Sequence, residues 1–568
     1  MNDSKNLIFA VLLSALVLLG WSWAANRYFP TANPPSTKVE NGKQQPLPQP
    51  QAQPTATSPK ALQSRATVLR STPRVRIQTP SLQGSINLKG AQIDDLTLVR
   101  QRETIAKDSA PVRLLSPLGA PGAYIASFGW TGQGVPVPTL DTVWTADSST
   151  LSPGHPVTLS TQTADGARYQ IRIAVDDGYL FTVRQSILNG SAQPLSVRPI
   201  GLVSRAAQSH DPDSWTNHVG PMSVFGGKAD YDVNYKNLDQ GTAQSFNGVS
   251  GWIGFTDKYW LTALAPGNAA MSADFRRSPR GGYQADYALA PLSVAPGQTA
   301  TTETHLFAGA KEKAWLDRYE DAGITKLSKS IDWGWFEFFM RPIFDLLMFL
   351  FHTVGNFGVA IICLTLIVRG IMFPIAQKQF QSMAAMRKLQ PKMKAIQERF
   401  KDDKQRQQQE ILKLYQQEKI NPAAGCLPIL LQIPVFYALY KVLLVSVEMR
   451  HQPFTLWIKD LSAPDPLTPV NLFGLLHFTP PQMLAIGVLP IMVGFTQWLS
   501  MKLNPQPMDP AQAQVFAIMP WFLVFIMAPF AAGLQLYWMT NNALTILQQW
   551  WLYRKFGLHF SDTHPVHN

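Results

Sequence analysis

The sequence predicts a multi-pass α-helical membrane protein that carries one large antiparallel β-sandwich outside the bilayer. Three observations predict it. Several uncharged apolar stretches are long enough to cross a hydrocarbon core of roughly 30 Å. From about Ala66 to Lys329, short alternating apolar runs are broken by Gly and Pro, and no long helical period interrupts them. Finally, Lys378 to Lys419 holds 11 Lys+Arg against 5 Asp+Glu, so +6 of the chain's net +12 sits in 42 residues.

The elements follow in chain order. Leu7 to Ala25 is 19 residues without charge, so residues 1–28 are expected to form an uncleaved transmembrane anchor. Ser22-Trp23-Ala24 also has the small-x-small form of a leader cleavage site. Residues 29–65 read as a tether, because Pro30 to Pro59 holds eight prolines and five glutamines and too little apolar surface for a core. Residues 66–330 form the β domain. Within it, Tyr169, Ile171 and Ile173 share one face, as do Tyr179, Phe181 and Val183 after Asp176-Asp177-Gly178. Two period-2 runs about such a turn read as a hairpin. Residues 331–352 read as an interfacial amphipathic helix, with Glu337, Arg341 and Asp345 recurring every four residues.

Five more spans are expected within residues 353–556, which makes six. Asn356 to Ile375 is apolar except for Arg369. Ala423 to Val447 is apolar except for Lys441, near enough to one end to snorkel. Met483 to Leu499 is uncharged. Val515 to Tyr553 is 39 uncharged residues, about 58 Å as one helix, so it must turn, most naturally at Pro529 to Gly533. Residues 378–420 read as a helical hairpin: Met386, Leu389, Met393, Ile396 and Phe400 step by three and four, and Ile411, Leu414 and Tyr415 resume the seam. Arg387, Lys388, Lys392, Lys394 and Arg399 make it basic. The bias of Lys and Arg puts the hairpin, Arg554, Lys555 and the tail 557–568 in the cytoplasm. Both termini are then cytoplasmic, and the β domain faces the periplasm of a bacterial inner membrane. A ribosome, a targeting factor or anionic lipid suits the basic hairpin; no DNA partner is expected.

Arg369 is the residue that points to function. An arginine facing lipid at mid-bilayer costs at least roughly 2.5–3.5 kcal/mol. It either snorkels to the headgroups or lines a hydrated cavity. The spans contain no acid to neutralise it, so water is its expected partner and a positively charged groove follows. Thr365, one turn earlier, and Gln432 and Asn541 on other spans are candidate lining residues. Polar groups within spans suit a passing peptide and a small-molecule transporter or channel equally well. No Walker-type glycine pattern, G-x-S-x-G or His/Asp/Glu cluster is present. Enzyme chemistry, a metal and a cofactor are not expected.

The runs IVRGIMFP (Ile367 to Pro374), NPAAGCLPILLQIPVFYALYKVL (Asn421 to Leu443) and GLQLYWMTNNALTILQQWW (Gly533 to Trp551) resemble the YidC family of membrane protein insertases. The amino-terminal anchor and outer domain resemble its Gram-negative form, with SFNGVSGWIGFTDKYWLTA (Ser245 to Ala263) the best match there. The resemblance implies a five-helix insertase core with a groove bearing Arg369, and a periplasmic β-supersandwich like that of sugar mutarotases. It implies that substrates slide along Ile433, Pro434, Val435 and Phe436 of one span and along Tyr537 and Trp538 of the last. Trp538 departs from the second Tyr more usual in the family. Implied partners are nascent membrane proteins, the Sec translocon, the ribosome or targeting factors, and the lipid bilayer.

Overall fold

The computed structural model describes residues 39–40, 43–44 and 62–555, apart from 212, 214–215, 242, 279–280, 335, 402, 419–426, 477, 479–484 and 504–509. The predicted anchor, most of the tether and the tail 557–568 lie outside the described residues. The chain divides into two compact units, with the boundary between Asp332 and Trp333.

The first unit is the β domain. Two large sheets, of nine and eleven strands, are antiparallel except where Arg76 and Ile77 pair in parallel with Thr150 and Leu151. The predicted hairpin is present: Arg168–Val175 pairs with Leu180–Leu188, with Ile173 opposite Val183 and Val175 opposite Phe181. Its alternation is the reason: Tyr169, Ile171, Ile173 and Val175 are buried on one strand and Phe181 and Val183 on the other, while Gln170, Arg172, Ala174 and Thr182 between them are exposed or half-buried. Aromatic rings join the sheets. Trp130 meets Tyr169 edge-on at 5.0 Å, and Phe255 lies between Tyr124 and Phe275 at 6.4 and 6.2 Å. Burying each such ring contributes roughly 1.5–3 kcal/mol.

Two short helices flank the strands, α1 (Arg65–Arg70) and α2 (Tyr235–Asp239), and α3 (Lys313–Asp321) follows the last strand. Arg65 of α1 pairs with the buried Asp95, and Arg74 with the adjacent Asp94, so both carboxylates are compensated. From α3, Tyr319 donates its hydroxyl to Asp176 Oδ2 (2.7 Å) and accepts the Tyr179 amide (2.9 Å), which pins the hairpin turn. Gly178 is required there, since a Cβ would come within 2.2 Å of the Tyr319 hydroxyl.

Asp286 carries a pH dependence. Burial pushes its carboxyl up to about 7, although Arg276 lies 2.7 Å away and the Gln284 amide donates to it at 2.6 Å. In the unfolded chain the value is 3.8. The folded domain therefore holds more protons between about pH 4 and 7, so its stability is greatest below that window and falls as pH rises through it. The loss is at most about 4 kcal/mol, at ~1.4 kcal/mol per pH unit. Asp286→Asn should flatten the profile, read as β-domain unfolding in the full chain by near-ultraviolet circular dichroism from pH 4 to 8. An unchanged slope in the variant would assign the dependence elsewhere.

The second unit is helical. The helix α4 (Glu337–Val354) carries the predicted charges, with Glu337 and Arg341 paired at 2.9 Å. It buries Met340, Ile343, Phe344 and Leu347 while Phe338 and Phe349 stay exposed. Gly355 closes it at φ 72°, and Asn356 at once caps α5 (Phe357–Arg399) by accepting the Val359 amide at 3.1 Å. Rather than ending with the predicted span, α5 runs to 43 residues in all, with Pro374 and Pro391 inside it. Helix α6 (Lys404–Gln417) packs back on its distal end. There Leu389, Met393 and Leu414 are buried with Ile396, Ile411 and Tyr415 against them, drawn from the predicted seam.

The remaining helices are α7 (Leu427–Val445), α8 (Val488–Lys502), α9 (Pro510–Met527) and α10 (Ala532–Lys555). By length and hydropathy, Phe357–Lys378 is the segment among the described residues that passes for a membrane span; Gln432–Val445 and Gln514–Met527 are apolar but shorter. The turn between α9 and α10 comes slightly earlier than expected. Ala532 and Gly533 are already helical, because their amides donate to Ala463 and Leu461 carbonyls at 2.8 and 2.9 Å. Lys441 corrects another expectation. It does not snorkel but is buried at 1% exposure, its ammonium beside Gly334.

Candidate functional site

Arg369 reaches α10 from α5. Its Nε donates to Asn541 Oδ1 at 2.6 Å, and its Nη2 donates to Thr545 Oγ1 at 2.5 Å and to the Asn541 carbonyl at 3.3 Å. These bonds use three of the five N–H donors of the guanidinium. Side-chain amide, hydroxyl and carbonyl oxygens hold one edge of the guanidinium without supplying a counter-charge. Asn541 and Thr545 are four residues apart, one turn of the same face of α10. Thr545 also donates to the Asn541 carbonyl at 2.7 Å. Thr545 was not singled out from the sequence; its spacing from Asn541 was the available signal.

Tyr537 stands one turn before Asn541 on that face. Its hydroxyl accepts a hydrogen bond from Gln432 Nε2 of α7. Arg369, Gln432 and Asn541 are thus brought to one stripe of α10, though α5, α7 and α10 are far apart in sequence. Thr365 is not on that stripe. It is buried at 1% exposure, and its hydroxyl donates to its own helix, to the Ile361 carbonyl at 2.6 Å. The neighbouring face of α10 meets α8, where Asn542 donates to Thr496 at 3.2 Å and Trp538 to Gln497 at 3.3 Å.

The implied substrate-contact residues divide by exposure. Ile433 is exposed and Pro434, Val435, Phe436 and Trp538 are half-buried, whereas Tyr537 is buried. Phe436 and Trp538 meet edge-on at 4.8 Å, so the two runs face each other. On the α5–α6 pair, Lys392 is ion-paired with Glu418 at 2.7 Å, Arg399 lies 5.7 Å from the Phe400 ring, and Lys394 is exposed. The side chains of Arg387 and Lys388 lie outside the described residues. At the end of α10, Arg554 and Lys555 sit over Trp550 and Trp551 at 4.0 and 4.9 Å, a basic and aromatic girdle of the kind found at membrane interfaces.

Comparison with known proteins places these features in a family. Residues 74–346 match the family described as "YidC periplasmic domain", and residues 349–558 match "60Kd inner membrane protein". A protein of Zymomonas mobilis named "Membrane protein insertase YidC" is 48% identical over 97% of this chain and 95% of its own length. One of the same name from Beijerinckia indica is 43% identical over 98% and 97%. The crystal structure of an active YidC insertase with its first transmembrane domain resolved aligns over 84% of this chain and 92% of that chain, at 19% identity and a TM-score of 0.37. With two family matches in tandem and relatives similar over nearly their whole length, the chain belongs to the YidC family of membrane protein insertases.

Proposed function

We propose that the chain inserts integral membrane proteins by way of a polar groove in which Arg369 is the attracting charge. As a member of its family it works at the inner membrane with its β domain in the periplasm. The observation that carries the reading is the set of neutral partners of Arg369: Asn541 and Thr545 hold the guanidinium in place but leave its charge for a substrate.

The mechanism follows from physical terms. A short acidic tail entering the groove exchanges part of its hydration for Arg369 and the polar side chains on α10, which lowers the desolvation cost of the half-crossed state. The substrate's apolar segment slides along Ile433 to Phe436 and Trp538, beside the buried Tyr537, and leaves sideways into lipid at roughly 25 cal/mol per Å² removed from water. A membrane potential, positive outside, pulls each acidic charge with about 2.3 kcal/mol per 100 mV. No nucleotide enters this step.

Six spans, cytoplasmic termini and a cytoplasmic α5–α6 hairpin complete the reading. The basic hairpin is the docking element for the ribosome or targeting factors, and the Sec translocon is a partner for longer substrates. The test is purified protein in liposomes with an acidic-tailed single-span substrate, scored by protease protection against protein-free liposomes. No protection above the blank would sink autonomous insertion. Deleting most of the β domain should leave insertion of this substrate intact, since Arg369, Gln432, Tyr537, Asn541 and Thr545 are drawn from α5, α7 and α10. Loss of insertion by a membrane-integrated deletion variant would move the active element into the periplasm.

A further inference from the structure

The loop between α7 and α8 holds a feature the insertion mechanism does not use. From Pro466 to Met501 the chain has no Lys, Arg, Asp or Glu, yet α8 begins only at Val488. In this uncharged loop Leu472, Phe473, Leu475, Leu476 and Phe478 are all exposed, Leu475 at 77%. The backbone presents them under strain. Leu472 (φ 49°, ψ 50°) and Phe473 (φ 59°, ψ 34°) are consecutive left-handed residues, at a cost of roughly 1–3 kcal/mol each. Asn471 and Gly474 flank the pair and would adopt that conformation far more readily. A turn needed only to reverse the chain would not put its strain on two bulky apolar residues.

The same turn satisfies its own backbone. The Phe473 amide donates to the Thr468 carbonyl at 2.9 Å, Leu475 to Leu472 at 3.2 Å, Leu476 to Asn471 at 3.1 Å and Phe478 to Leu476 at 2.9 Å. Irregular backbone needs such bonds where water is scarce. Its base is fixed to α8 by the buried Asp465. Oδ1 accepts from Trp457 Nε1 and the Leu467 amide, both at 3.0 Å, and Oδ2 accepts from the Leu489 amide at 2.7 Å. Helix α8 itself has 15 residues, about 22 Å, some 8 Å less than a hydrocarbon core of roughly 30 Å. An apolar element lying in the interface buries about 5–10 Å deep.

From this geometry we infer that Leu472, Phe473, Leu475, Leu476 and Phe478 form an apolar wedge that docks into the lipid headgroup–acyl boundary and sets the depth of α8 in the bilayer. The occupant is lipid rather than a charged protein surface, because the loop and α8 offer no Lys, Arg, Asp or Glu from Pro466 to Met501 and the exposed run leads into an apolar helix. For the same reason, docking does not depend on anionic headgroups. The inference rests on α8 being a span, so the test reports on both.

In a Cys363→Ser, Cys426→Ser background of the full chain, nitroxides are placed one at a time at Leu475→Cys, Phe478→Cys and, on the exposed face of α8, Phe495→Cys. Proteoliposomes with and without anionic lipid are then read by electron paramagnetic resonance with oxygen and a neutral water-soluble nickel chelate as colliders. The expected result is that oxygen dominates severalfold at 475 and 478, as at 495, in both lipid mixtures. If 495 is lipid-facing while the nickel complex dominates at 475 and 478, the wedge is overturned. If neither collider reaches 475 and 478, a protein surface covers the loop and the inference fails as well. Nickel dominance at 495 would instead overturn α8 as a span, and the wedge with it.

Discussion

Arg369→Ala is expected to slow insertion of an acidic-tailed single-span substrate about tenfold, the factor carried by ~1.4 kcal/mol of barrier. Arg369→Lys should stay within about threefold of the parent, because it keeps the positive charge and loses only the planar fork. The geometry explains the asymmetry. The guanidinium holds Asn541 and Thr545 with two different nitrogens, which one ammonium cannot reproduce, but the acidic tail responds to the charge. The measurement is the initial rate of protease protection in proteoliposomes, with a neutral-tailed substrate as control. Equal loss in both variants would show that the hydrogen-bond fork matters and the charge does not. Loss in neither would remove Arg369 from the path.

Asn541→Asp should be as damaging as Arg369→Ala for acidic tails, although it alters neither the arginine nor the size of its neighbour. A carboxylate at 541 would take the place of a neutral oxygen that now accepts from Arg369 Nε at 2.6 Å. It would pair with the guanidinium and cancel the field on which an acidic substrate draws. Insertion of a neutral-tailed substrate should be nearly unaffected, within about twofold on the same ~1.4 kcal/mol per decade scale. If both tails slowed equally, the stripe on α10 would be acting as a structural support. If neither slowed, the electrostatic account would fail.

Much of this architecture was legible in the sequence for local reasons. The hairpin about Asp176-Asp177-Gly178 showed in the period-2 alternation of Tyr169 to Val183, because each strand buries one face. Arg369 showed because a charge in an uncharged run has few explanations. The seam through Leu389, Met393, Ile411 and Leu414 showed because helices that pack on one another repeat their apolar residues by three and four. Other features were not legible. Thr365 shares a helical face with Arg369 by spacing, yet its hydroxyl folds back on Ile361. Lys441 lies toward the end of its apolar run, yet is buried beside Gly334.

The sequence by itself determined what kinds of element this chain contains: alternating strands, apolar helices, a basic helical pair and one arginine among uncharged residues. These are properties of neighbours within a few residues, and periodicity and charge report them directly. Only the tertiary structure decided which oxygen atoms meet Arg369 from 172 and 176 residues away, that Gln432 reaches Tyr537, and that Leu472 and Phe473 are held outward in a strained turn. Those outcomes depend on the rotation and height of each helix against its neighbours. Packing of the whole bundle sets both, and no local pattern encodes them.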